Sequence, residues 1–167
     1  GGLFGRSLEA CDVNNDGHDE LIVGNTGDYS KPTTYSSVEY FFGSSSGYNG
    51  TADHTLASIV QGKLFGFNIA CVGDLNGDGA PDLVGVRHNR ATGQDEARIL
   101  INRGDGVFQS RGYNGVSPAI VLPQGSDISN STKVDLALGD LNLDGALDAV
   151  VTSQHADHLV VLLGHGD

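Results

Sequence analysis

The chain has 167 residues, with 25 Gly and 21 Asp plus Glu against 9 Lys plus Arg, for a formal net charge of −12. Such acidity disfavours a nucleic-acid backbone as partner. The longest purely apolar run, Leu159–Leu163, is far shorter than the roughly 20 residues of a membrane-spanning helix, and 38% hydrophobic with 18% charged residues does not suit a disordered chain.

Reading from the N-terminus, Leu3-Phe4-Gly5 precedes an acidic loop from Asp12 to Glu20. Strands are predicted over Leu21–Gly24, Val38–Phe42 and Thr55–Val60. The pattern restarts at Leu64-Phe65-Gly66. A short strand at Ile69–Val72 leads into a second loop at Asp74, followed by strands at Leu83–Val86, Ala97–Ile101 and Pro118–Leu122. It restarts again with a short strand at Val134–Leu138, a loop at Asp140, and strands at Leu147–Thr152 and Leu159–Leu163. The third repeat carries no fourth strand. Repeats of this length are best read as one supersecondary unit each. Asn49-Gly50 and Asn114-Gly115 suit tight hairpin turns. Near-continuous apolar runs suit strands covered on both faces. The expected fold is therefore all-β, with four-stranded antiparallel sheets packed face to face as β-propeller blades. The repeats run over residues 3–63, 64–132 and 133–167, about two and three-quarter blades. A ring needs more, so the expectation is a homo-oligomer or part of a longer chain. The absence of Met and of a leader-like N-terminus suggests a processed or excised piece.

The loops carry the chemistry. Oxygen-bearing side chains recur at loop positions 1, 3, 5 and 9. They are Asp12, Asn14, Asp16 and Glu20; Asp74, Asn76, Asp78 and Asp82; and Asp140, Asn142, Asp144 and Asp148. Position 6 is Gly17, Gly79 or Gly145, where a sharp reversal needs positive φ. The position-7 carbonyl of His18, Ala80 or Ala146 then faces the same centre. Hard oxygen donors with about three carboxylates suit Ca²⁺, so three Ca²⁺ sites are expected. An EF-hand shares the opening of this motif but needs Glu at position 12. Here that position is Val23, Gly85 and Val151, with strands on both sides.

Phe4-Gly5 … Asp12-x-Asn14-x-Asp16-Gly17-x-x-Glu20-Leu21 … Phe42-Gly43-Ser44-Ser45-Ser46-Gly47 resembles the FG-GAP repeat of integrin α-subunit propellers. Asp140-x-Asn142-x-Asp144-Gly145-x-x-Asp148 … Leu162-Leu163-Gly164-x-Gly166-Asp167 resembles the related VCBS-type repeat of secreted proteins. The resemblance implies a propeller, usually seven-bladed, with Ca²⁺ in the hairpin between the first two strands of each blade. It also implies an extracellular or cell-surface setting and a protein, glycan or surface ligand. Two departures stand out. Lys133-Val134-Asp135 replaces Phe-Gly in the third repeat, and Glu20 stands where Asp is usual.

Other features weigh less. Cys11 and Cys71 permit one disulfide, but the favoured reading is two small buried strand residues. Arg103-Gly104-Asp105 spells an integrin-recognition tripeptide, yet its place in the repeat favours a hairpin turn. Asn49 and Asn130 begin glycosylation sequons. His155 and His158 read as solvated turn residues. The polar insertions Thr26–Ser37 and Arg87–Glu96 are the expected place for a ligand surface. No catalytic motif appears, so the chain reads as a non-enzymatic, calcium-binding module for ligand binding or adhesion. The alternatives are a lectin-like propeller binding sugar and a non-catalytic part of a larger secreted enzyme.

Overall fold

The computed structural model describes residues 4–26, 36–57, 63–89, 94–109, 120–121, 134–145, 148–153 and 159–163. These form strands in three antiparallel sheets, with no helix among the described residues. The first sheet runs β1 (Phe4–Cys11), β2 (Glu20–Asn25), β3 (Ser37–Phe41) and β4 (His54–Ala57). The second runs β5 (Lys63–Gly73), β6 (Asp82–Asn89) and β7 (Gln94–Asn102), with β8 (Phe108–Gln109) and β9 (Ile120–Val121) both paired to β7. The third runs β10 (Val134–Gly139), β11 (Asp148–Ser153) and β12 (Leu159–Leu162). Each sheet is a consecutive meander, the expected blade topology.

Two expectations need correcting in detail. The first strand of a repeat is not short, because β1 has 8 residues and β5 has 11. Both extend back through the Phe-Gly dipeptide, which the pairing irregularities between Phe4 and Ser7 and between Leu64 and Asn68 mark as a bulge. The fourth strand of the second sheet is split between β8 and β9. The turn at Asn114-Gly115, the sequon at Asn130, His155 and His158, and Ala146 lie outside the described residues.

The period-two alternation of β5 explains how the sheets stack. Ile69 joins Val13, Ile22, Val38, Tyr40, Leu83, Leu100 and Phe108 in a core between the first and second sheets. Its neighbours Ala70 and Val72 point the other way, packing with Val84 and Ala149, against Leu136 and Leu162 of the third sheet. The Tyr40 and Phe108 rings stack across the first interface, centroids 5.2 Å apart. With both faces covered, β5 touches β1, β2, β3 and β10.

Two features pin β1 to β5. Ser7 Oγ donates to the Gly66 carbonyl at 3.0 Å, and Cys11 is disulfide-bonded to Cys71. Both cysteines are strand residues packed against the core, and of the two readings the sequence allowed the structure holds the disulfide. The cysteines sit on facing strands of adjacent sheets, an arrangement that a spacing of 60 residues does not reveal by itself. Closing a loop of that length stabilises a fold by about 4 kcal/mol through the unfolded chain. Replacing both cysteines by Ser is expected to lower the melting temperature by about 10 °C, with no further loss on adding a thiol reductant; calorimetry of both proteins checks this.

The bulge glycine is a second structural requirement. Gly66 has φ of +79° and lies against Gly24 of β2. A Cβ on Gly24 would overlap the Gly66 carbonyl oxygen and Ser7 Oγ. Gly5, at φ +80°, occupies the matching bulge of the first sheet but has no atom within 4 Å of its Cβ direction. Gly24→Ala is therefore expected to cost about 3 kcal/mol through backbone displacement, and Gly5→Ala only about 1 kcal/mol of left-handed strain. Urea midpoints of the two variants test the difference.

Candidate functional site

Each acidic loop joins the first two strands of a sheet, and the three are built alike. The position-1 carboxylate caps the turn. Asp12 accepts the amides of Asp16 (3.0 Å) and Gly17 (2.9 Å). Asp74 accepts those of Asp78 and Gly79, and Asp140 those of Asp144 and Gly145. The position-3 amide oxygen accepts the same position-5 N–H in all three loops, from Asn14, Asn76 and Asn142. Its Nδ2 donates to the position-5 carboxylate of Asp16, Asp78 or Asp144. Position 5 in turn accepts the position-7 amide of His18 and Ala80. The loops thus gather the side-chain oxygens of positions 1, 3 and 5 around one turn.

The geometry needs positive φ twice. Position 6 is Gly17, Gly79 or Gly145 at φ +88°, +85° and +91°. Position 4 is Asn15, Gly77 or Leu143 at +57°, +76° and +62°. The second requirement is absent from the sequence reading, since three different residue types occupy that position.

Position 9 has a distinct role. Glu20, Asp82 and Asp148 are fully buried. One oxygen accepts the position-2 amide, from Val13 (2.9 Å), Leu75 (2.9 Å) or Leu141 (2.8 Å). In the first two sheets the other oxygen reaches the end of the third strand, at Gly43 N (3.2 Å) and Asn102 N (2.8 Å). The carboxylate fastens the loop to the sheet beneath it.

In the first two loops the carboxylates feel one another's charge. Burial raises the Asp82 pKa above the ordinary carboxylate value despite its two backbone donors, and the charges of Asp78 and Asp74 push it further. Burial likewise raises that of Glu20, with Asp16 adding to the effect. Asp74 moves the other way. Partial burial would raise it, but the amides of Gly79, Asp78, Gly77 and Asn76 together outweigh this and hold it below the ordinary value.

Among the described residues, no three His, Cys, Asp or Glu side chains converge closely enough to form a metal cage on their own. The available donor set is wider than those residue types. Its side-chain members are two loop carboxylates and the Asn amide oxygen, with the buried carboxylate below. All are hard oxygen donors, which fits Ca²⁺ and not a soft or nitrogen-seeking metal. His18, the one imidazole in these loops, lies 4.0 Å from Asp16.

Arg103-Gly104-Asp105 forms a hairpin turn, as expected. Arg103 N donates to Val107 O, Asp105 Oδ1 accepts Val107 N, and Gly104 and Gly106 have φ of +85° and +73°. Sequence reasoning missed Asn102, just before this turn. Its side chain is buried and bridges two loops. The signal was available, because the matching places in the other repeats are Gly43 and Gly164.

Three stacked antiparallel meanders with Asp-rich hairpins define a repeat protein of the β-propeller class. The chain belongs to the FG-GAP repeat family. The FG-GAP repeat matches residues 4–51 and the FG-GAP-like repeat residues 74–151. It is similar to integrin alpha-7 of Mus musculus, 28% identical over 156 residues, covering 86% of this chain and 13% of that protein. Integrin alpha-7 of Homo sapiens is 25% identical over 169 residues, covering 94% of this chain and 14% of that protein. The chain therefore spans about an eighth of the length of these relatives.

The buried position-9 carboxylate yields a prediction that needs no cation. Asp82→Asn keeps the size but turns one acceptor into an NH₂ group facing the amide of Leu75 or Asn102. It is expected to destabilise the fold by about 2–3 kcal/mol in chelator. Asp78→Asn, on the exposed rim, is expected to cost under about 0.5 kcal/mol in the same buffer. Chemical denaturation of both variants provides the check.

Proposed function

We propose that this chain is a calcium-stabilised propeller segment serving extracellular or cell-surface binding, with no catalytic role of its own. The observation that carries the reading is the threefold recurrence of one oxygen-donor loop, with positions 1, 3 and 5 gathered by the same hydrogen bonds each time. In this reading Asp12, Asn14, Asp16, the His18 carbonyl and Glu20 hold one Ca²⁺. Asp74, Asn76, Asp78, the Ala80 carbonyl and Asp82 hold a second. Asp140, Asn142, Asp144, the Ala146 carbonyl and Asp148 hold a third. The ion supplies charge neutralisation where carboxylates otherwise repel one another.

The likeness to integrin alpha subunits supports an adhesion-type setting and a protein partner. The exposed ends of the sheet stack support a larger propeller. Leu8 is 63% exposed, while Ile69, at the matching register of the second sheet, is 3% exposed under its neighbour. Leu159 and Leu163 are exposed at the other end. Further blades of the same kind, from the rest of a longer chain or from a second copy, suit both faces. Sugar binding gains no support from a specific observation.

Binding to the folded state alone stabilises it by about 2.7 kcal/mol per site at a hundredfold excess over Kd. Removing divalent ions is therefore expected to lower the melting temperature by several degrees or more, and added Ca²⁺ is expected to restore it. A melt unchanged by chelation, with no heat of Ca²⁺ binding by titration calorimetry, overturns the calcium assignment.

A further inference from the structure

The first and second loops are joined by two side chains, and at the next boundary both matching positions are glycines. Asn102 is 1% exposed. Its Nδ2 donates to the Val13 carbonyl at 2.6 Å and to the Pro81 carbonyl at 2.9 Å. Its Oδ1 accepts Gly104 N at 3.0 Å, and its own N–H donates to Asp82 Oδ1 at 2.8 Å. Every hydrogen-bonding group of this amide is therefore engaged. Val13 lies between loop positions 1 and 3 of the first loop. Pro81 lies between positions 7 and 9 of the second. One buried amide thus holds backbone carbonyls flanked by proposed ligands in two loops. A second link is direct: Asn15 Nδ2 donates to the Gly79 carbonyl at 3.2 Å, next to Ala80.

At the next boundary the position matching Asn15 is Gly77. Leu162 pairs with Ala149 as Leu100 pairs with Leu83, so the position matching Asn102 is Gly164. Neither glycine has a side chain to make either bond.

We infer that the first two loops take up Ca²⁺ as a coupled pair through Asn102 and Asn15, and that the third loop fills independently. The inference rests on the calcium reading above. Ordering the first loop around a cation fixes Val13 and Asn15, which through these bonds fixes Pro81 and Gly79 of the second. The second cation then binds a loop whose ordering is already partly met, and the effect is reciprocal. Asn102 acts here as a positioning residue, since its side chain touches backbone and no proposed ligand atom.

The test is an NMR titration of the full chain with Ca²⁺, following the amides of Gly17, Gly79 and Gly145 as one reporter for each loop. In the unmodified chain Gly17 and Gly79 are expected to titrate together with a Hill coefficient above 1, and Gly145 separately. Asp78→Asn, which weakens the second site, is expected to raise the Ca²⁺ midpoint at Gly17 by about fivefold or more while leaving Gly145 unmoved. Adding Asn102→Ala is expected to remove most of that transfer. Asn15→Gly, which suits the left-handed backbone and removes only the weaker link, is expected to reduce it. If Asn102→Ala fails to fold, Asn15→Gly and the Asp78→Asn comparison decide the matter. A Gly17 midpoint unchanged by Asp78→Asn, with Ca²⁺ still shifting all three glycines in the unmodified chain, overturns the coupling alone. No shift at any glycine overturns the calcium reading and the coupling with it.

Discussion

The buried carboxylate at loop position 9 is the constraint on which each sheet depends. A charged oxygen pair out of water needs donors, and the structure provides backbone amides from two different parts of the sheet. Asp82 thereby ties the loop at Leu75 to the end of β7 at Asn102, across the strand that separates them. Glu20 does the same between Val13 and Gly43 with one more methylene, which explains why the longer side chain is accepted in the first loop. Loop and third strand are locked in one register, and the exposed rim of acidic side chains is held above them.

The same tie sets the relation between neighbouring sheets. Val13, the residue whose amide Glu20 accepts, sends its side chain into the core against the second sheet. Leu75 packs likewise against the core shared with the third. Leu141 holds the equivalent place in the last loop and is 54% exposed, because no described sheet follows it. A loop that positions charged oxygens on its rim therefore also delivers an apolar side chain to the adjoining interface. The chemistry of the rim and the packing of the stack are two faces of one hairpin.

Much of this was legible in the sequence, and for a physical reason. Local features repeat in local sequence: the Asp-x-Asn-x-Asp-Gly spacing, the apolar second strand, and the turn at Arg103-Gly104-Asp105 all emerge where they were expected. What escaped were contacts between repeats. Cys11 and Cys71 face each other only once β1 and β5 stack. Gly24 looks like an ordinary strand glycine until Gly66 is brought against it. The first strands seemed short because the Phe-Gly bulge interrupts their alternation while their pairing continues. Asn102 reads as a polar strand end, and its bridging role depends on Val13, 89 residues away.

The acidity of the chain takes a different meaning in this light. Nine of the 21 acidic residues occupy loop positions 1, 5 and 9 of the three hairpins. Three of those nine are fully buried and serve as hydrogen-bond acceptors for the backbone. The remaining six sit in pairs on the rims. An excess of carboxylates so arranged is not a diffuse surface charge awaiting a basic partner. It is concentrated at three points along one edge of the sheets, where it opposes its own ordering unless something neutralises it. The amides that gather at Asp12, Asp74 and Asp140 provide part of that neutralisation. Backbone dipoles lower the cost of placing a single carboxylate there, as the depressed pKa of Asp74 shows, but they bring no net charge. A divalent cation would, and this difference between a dipole and a net charge is the ground on which the calcium reading proposed above stands.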